Sequence, residues 1–166
     1  LVDLLALNED EAARLAGAPF PDGPPEPFLL RLSGVVPGVR LVVTAGARGA
    51  FAFDGTAWAH VPALPVAVVS TAGAGDALLG GVLAGLAAGL PFAPAGSPPP
   101  SLAERPLSSA LELGALVAAF KVTSPHTIPP DLSLDRLVAF AREHGVSFGE
   151  GLRRLLPAAE EHRHAS

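Results

Sequence analysis

Apolar positions along this chain fall into two kinds, short unbroken runs and stripes at helical spacing, and the kinds alternate. Residues 1–7 are nearly all apolar and read as a buried strand. From Asn8 to Gly17 the period changes. Asn8 can cap a helix, Glu11 stands at the capping-box position, and Ala12 with Leu15 offers an apolar face before the Gly17 stop. Residues 19–27 form a proline-rich loop, and residues 28–33 carry one or two helical turns. Residues 39–44 read as a strand with Leu41, Val42 and Val43 in a row, as expected of a strand covered on both faces. Residues 50–53 and 57–61 flank Asp54-Gly55, a hairpin signal, with Trp58 as a packing residue of that hairpin. Residues 66–69 are expected as a further strand.

Residues 75–90 return to helical spacing, with Leu79, Val82, Leu83 and Leu86 on one side. Gly80, Gly81 and Gly85 each weaken such a helix by roughly 1 kcal/mol relative to Ala, which close packing against a sheet would offset. Residues 91–105 read as an exposed loop rich in Pro, Ala, Gly and Ser. A second helix is expected over residues 107–122, a rigid turn over 123–130, and a last helix capped by Ser133 and ending at His144. Residues 146–166 read as a polar tail, which leaves residues 1–145 as one domain. No internal repeat is present.

Composition narrows the classes. With 49% hydrophobic and 16% charged residues, the 166-residue chain can bury a core. Its longest apolar stretch, residues 77–95, is interrupted by Gly and Pro and begins against Asp76. It therefore reads as a helix beneath a sheet rather than a membrane span. A net charge of −5 with no Lys/Arg cluster argues against a nucleic-acid surface. The absence of cysteine excludes disulfides, thiolate zinc sites and cysteine nucleophiles, and fits a cytoplasmic location. No basic region precedes an apolar segment at the N-terminus, so no signal peptide is expected. His60, His126 and His144 are too scattered to be metal ligands, and His162 and His164 are expected to be solvated.

The candidate chemistry is concentrated in Ser70-Thr71-Ala72-Gly73-Ala74-Gly75-Asp76-Ala77. Gly73 and Gly75 let the backbone turn tightly and approach a ligand. Their N–H groups and that of Ala74 would stand at a helix N-terminus, where unpaired donors and the helix dipole favour an anion. A carboxylate at Asp76, beside such an anion hole, suits proton abstraction from a hydroxyl that attacks phosphate. The structural alternative is a plain strand-to-helix turn whose Asp is favoured by the dipole. Asn8 and Glu11 likewise have a capping-box explanation, and Thr44 and Gly46 could mark an ordinary turn at a strand end.

Three stretches in order resemble the ribokinase-like carbohydrate and nucleoside kinases, the PfkB family. Ser70 to Asp76 is similar to the family's Asp-Thr-x-Gly-Ala-Gly-Asp, Asn8-Glu9-Asp10-Glu11 to its Asn-x-x-Glu, and Thr44-Ala45-Gly46-Ala47-Arg48-Gly49 to its Thr-x-Gly-x-x-Gly nucleotide turn. The resemblance implies a three-layer α/β/α sandwich with a mainly parallel sheet containing residues 39–44 and 66–69. It implies ATP and Mg2+ as cofactors, transfer of the γ-phosphoryl to a hydroxyl of a sugar or nucleoside, Asp76 as base, and the Gly73, Ala74 and Gly75 amides as anion hole. It places Asn8 and Glu11 near magnesium through water, and Thr71, Thr44, Gly46 and Gly49 on the nucleotide side. In the family the helix corresponding to residues 107–122 borders adenine, which implies that Gly114, Ala115 and Ala118 would leave room for the base and that His126 would stand close by. A pseudouridine-type acceptor is one option. Ser70 stands where the family usually has Asp, a residue that in some members helps arrange a monovalent-cation site, and this leaves a potassium requirement undecided. The family's N-terminal half, with its Gly-Gly sugar signature and lid, has no counterpart here. The resemblance therefore covers a C-terminal half, expected either to form homo-oligomers or to need the other half. The rival reading is a truncated, noncatalytic nucleotide-binding or partner subunit.

Overall fold

In the computed structural model, which describes residues 2–130 and 132–154, the first apolar run forms strand β1 (Leu4–Asn8) and passes directly into helix α1 (Glu9–Ala16). Leu1, His162 and His164, named above, lie outside the described residues. Asn8 caps α1 in a reciprocal box: its Oδ1 accepts from the Glu11 amide and Glu11 Oε2 accepts from the Asn8 amide, both at 2.9 Å. Helix α2 (Glu26–Val35) follows, longer than the turns expected there. Strand β2 (Arg40–Thr44) then leads through a 3-10 turn, Gly46–Arg48, to β3 (Ala50–Phe53) and β4 (Trp58–Val61).

The strands pair in chain order, β1-β2-β3-β4. β1 and β2 are parallel, with Leu4 opposite Arg40 and Asn8 opposite Thr44. β2/β3 and β3/β4 are antiparallel. Side chains alternate between the two faces of this sheet. Leu41, Val43 and Phe51 pack with Phe28, Leu29 and Leu32 of α2 and Ala12 and Ala16 of α1. Val42, Ala50, Ala52 and Val61 pack on the opposite side with helices α3 (Ala74–Ala87), α4 (Ala110–Val122) and α5 (Leu134–Glu143). β2 is thus buried on both faces, and the molecule is the three-layer α/β/α arrangement expected.

Within that arrangement four expectations are corrected. The sheet is mixed rather than mainly parallel, because the short Asp54-Gly55 connection and the 3-10 turn leave room only for antiparallel neighbours. Residues 66–69 are not a strand. Pro62 and Pro65 withdraw ladder donors, the Val69 and Ser70 amides donate to the Val122 carbonyl at 2.7 and 3.2 Å, and Val68 and Val69 remain exposed. Two of the three glycines named in α3 serve packing on α4, not on the sheet: a Cβ on Gly81 would lie 2.7 Å from Gly114 Cα, and one on Gly85 would lie 2.8 Å from Ala110 Cα, whereas one on Gly80 would meet nothing within 4 Å. The start of the expected tail is also folded. Val146 and Leu152 are buried, Phe148 bridges to Leu107, and a short helix α6 (Glu150–Arg153) closes the described chain. Loop 91–105 is exposed at its tip but anchored by buried Phe92 and Leu102.

Candidate active site

A cleft of about 950 Å3 opens where β1 and β2 end and α1 and α3 begin. Ligand sites of open α/β folds lie beyond the carboxyl ends of strands, and here the parallel pair β1/β2 places Asn8 and Thr44 side by side in register at that edge. Thr44 Oγ1 donates to the Leu7 carbonyl at 3.4 Å. Beyond Thr44 the chain folds tightly: the Ala45 amide donates to the Gly49 carbonyl at 2.8 Å and the Gly49 amide to the Gly46 carbonyl at 3.0 Å. Gly49 has φ 88°, and a Cβ there would lie 2.0 Å from the Val61 carbonyl oxygen, so no other residue fits.

The opposite wall is the elbow at the start of α3. Gly73 takes φ 79° as the residue before the helix, and a Cβ on it would lie 2.9 Å from Thr127 Cγ2. Thr127, unread in the sequence as a site neighbour, thereby brings the 123–130 turn against the elbow. Of the three amides expected in the anion hole, that of Ala74 donates to the Thr71 carbonyl at 3.1 Å. The amides of Gly75 and Asp76, in the first turn, have no acceptor one turn back within the helix. Asp76 stands exposed in that first turn.

Asn8, Glu11, Thr44, Gly46, Gly49, Thr71, Gly73, Ala74, Gly75, Asp76, Ala115 and Ala118 all line this one cleft. Gly114 does not. A Cβ on it would meet the Leu78 carbonyl oxygen at 2.6 Å and Val82 Cγ2 at 2.8 Å, so its bareness serves the α3/α4 contact rather than a ligand. His126 is exposed and outside the lining. The segment Ala63 to Val66 lines the cleft although it was expected to be partly strand. Its paired prolines, Pro62 and Pro65, were the available signal of an extended, unpaired course.

The polar character of the cleft is uneven. Two carboxylates, Glu11 and Asp76, face it, and no Lys or Arg is among its lining residues. An anionic ligand there must rely on backbone donors and helix N-termini. Among the described residues no group of three or more His, Cys, Asp or Glu is arranged to hold a metal. A hard, strongly hydrated cation held partly through water would suit what is present, namely two carboxylates and the amide oxygen of Asn8. Glu11 Oε2 and Asn8 Oδ1 already serve the α1 cap, so direct coordination would compete with it. Among the described residues no helix is long and apolar enough to cross a membrane.

Comparison with known proteins identifies the family and the fold. A family model described as pfkB family carbohydrate kinase matches residues 1–133. A fructokinase of Klebsiella pneumoniae is 40% identical over 93 residues, 55% of this chain and 29% of that protein. The uncharacterized sugar kinase YegV of Escherichia coli is 53% identical over 55 residues, 33% of this chain and 17% of that protein. Among solved structures, aminoimidazole riboside kinase of Salmonella enterica, complexed with aminoimidazole riboside and an ATP analog, superimposes with a TM-score of 0.60 at 27% identity, covering 83% of this chain and 41% of that one. Ribokinase of Thermotoga maritima, at 22% identity and a TM-score of 0.59, shares the fold over 84% of this chain and 42% of its own. The chain thus spans less than half the length of each of these relatives.

Proposed function

Because this chain belongs to the pfkB carbohydrate kinase family, we propose that its cleft supplies the nucleotide half and the base of an ATP-dependent phosphoryl transfer to a hydroxyl of a sugar or nucleoside. The observation that carries the reading is the convergence of Asn8, Thr44, Gly73, Gly75 and Asp76, from three separate parts of the chain, on one cleft. The fructokinase match and the ATP analog of the aminoimidazole riboside kinase support sugar or nucleoside acceptors and ATP as donor.

In this reading the Gly73 and Gly75 amides stabilise charge on the phosphoryl group, with the Ala74 amide kept by Thr71 to shape the turn. Asp76 takes the acceptor's hydroxyl proton as the new O–P bond forms and the bond to the nucleotide's bridging oxygen breaks, leaving ADP with that electron pair. Thr44, Gly46 and Gly49 shape the nucleotide wall, Thr71 stands at the phosphate end, and Ala115 with Ala118 leaves space beside α4 for the base. Asn8 and Glu11 would hold Mg2+ through water, and the ion would neutralise phosphate charge when bound. Acceptor selection has no counterpart among these residues, so the pseudouridine option stays a proposal with the rest. Cytoplasmic location is likewise part of this reading.

A second reading, a nucleotide-binding subunit without turnover of its own, draws on the same cleft, whose lining offers backbone donors and no Lys or Arg. ATP turnover with a panel of sugars and nucleosides, beside a direct MgATP binding measurement, separates the two. On the first reading, Asp76→Asn lowers turnover by about 10²-fold or more while ATP affinity stays within a few-fold. Turnover retained in that variant overturns the base assignment. Binding without any turnover in the unaltered chain supports the second reading.

A further inference from the structure

Lys121 is 1% exposed, among the largest fully buried side chains of the molecule, and its ammonium donates to the Ser70 carbonyl at 2.9 Å. No carboxylate pairs with it among the ion pairs of the described residues. A buried ammonium is costly unless its charge is answered nearby, so its place in the fold calls for a reason. The neighbouring residue, Val122, lines the cleft, and its carbonyl accepts the Val69 and Ser70 amides at 2.7 and 3.2 Å. Three hydrogen bonds from the last turn of α4 thus grip residues 69–70, the approach to the elbow. The cleft in front of that elbow presents two carboxylates and no Lys or Arg.

We propose that Lys121 is a positioning residue for the elbow, pinning the Ser70 carbonyl so that the Gly73–Asp76 turn presents its amides to the phosphate chain of a nucleotide, and that its unpaired charge makes this side of the cleft receptive to that polyanion. The ligand in this statement rests on the phosphoryl-transfer reading; the pinning of the elbow does not. Its action is through the loop and through the local potential, without contact to the reacting atoms. The geometry explains why a lysine, long enough to cross from α4 to the loop and cationic at its tip, is buried near the end of a helix whose one other charged residue, Glu112, lies in its first turn.

The test compares the full chain with Lys121→Met, which keeps length without charge, and Lys121→Arg, which keeps a cationic donor. Hydrogen exchange is read at the Val69 and Ser70 amides against the β2 amides as internal reference. The expected result is exchange at Val69 and Ser70 faster by roughly tenfold or more in Lys121→Met, unchanged β2 exchange, and substantial recovery in Lys121→Arg. MgATP affinity is expected to fall by roughly tenfold in Lys121→Met while adenosine affinity is unaffected, because only the phosphate chain meets the elbow. Unaltered exchange at residues 69–70, or equal loss of ATP and adenosine binding, overturns the proposal. If no protein in the set binds nucleotide, the phosphoryl-transfer reading fails and the exchange arm alone decides the role of Lys121. Should Lys121→Met not fold, the unaltered chain answers directly: a slowly exchanging Lys121 ammonium resonance coupled to the Ser70 carbonyl carbon supports the contact, and a freely exchanging one overturns it.

Discussion

Arg48 lies in the middle of the Thr44–Gly49 motif yet does not line the cleft, and its contacts show how single side chains brace the site from outside. Its guanidinium pairs with Glu9 in the first turn of α1, donates to the Pro21 carbonyl at 2.6 Å, and lies 4.7 Å from the Phe20 ring centroid. Its own carbonyl accepts from His60 Nε2 at 2.7 Å, with His60 stacked on Phe51 at 4.5 Å. The 3-10 turn on the nucleotide wall is therefore tied to α1, to the 19–25 loop and to β4. Asp54 works on the same scale at the far end of the hairpin. Its Oδ1 accepts from the Ala57 amide, the Thr56 hydroxyl and the Thr56 amide at 2.7–2.9 Å, and these bonds hold its carboxyl below its ordinary value of 3.8. A carboxyl whose folded value is depressed stabilises the fold above its unfolded value and loses that contribution as pH falls through the folded one. The difference in unfolding free energy between the unaltered chain and Asp54→Ala should accordingly be constant above about pH 5 and shrink as the solution is acidified below that, measured by denaturant unfolding across an acid series. A difference that grows on acidification contradicts the assignment.

Between elements, the decisive contact is the seam of α3 and α4. Gly81 and Gly114 face each other so closely that backbone meets backbone, and this sets where the elbow at the head of α3 stands relative to Ala115 and Ala118 on α4. Gly114→Ala is expected to destabilise the protein by about 1–3 kcal/mol, read as a lower thermal midpoint, because its Cβ would lie 2.6 Å from the Leu78 carbonyl. A neutral effect would mean that the helices can separate freely. Two helix starts were read from side chains, Asn8 with Glu11 and Ser133, and both caps form; the complete box of Ser109 with Glu112 was not read and starts α4 at Ala110 rather than at residue 107. Glu112 needed the structure, since it is buried and also accepts from Arg105 Nε at 3.2 Å, tying loop 91–105 to α4. The failed strand at 66–69 is the instructive miss. Its valines have strand propensity, but propensity acts only if a neighbour offers a ladder, and the Val122 carbonyl took the donors instead.

For the molecule as a whole, β1 pairs among the described residues with β2 alone, and its four apolar residues Leu4, Leu5, Ala6 and Leu7 are partly buried. Such an edge, uncharged from Leu4 to Asn8, invites pairing with another strand. The chain is therefore expected to associate with rising concentration in light scattering after size exclusion, and a single monomeric mass throughout would contradict this. Most of the elements could be inferred beforehand because they rest on local signals, runs of Leu and Val, the Asn8 cap and Asp54-Gly55, whereas the three layers and most residues of the cleft followed from the family resemblance of three short motifs. Those signals act over a few residues and are written in the chain. Strand direction, the use of Gly114 for packing, the burial of Lys121 and the approach of Thr127 to Gly73 depend on partners far away in sequence. They were settled only when folding brought distant backbones within hydrogen-bond and van der Waals reach, where competition for a single carbonyl or a single gap decides the outcome.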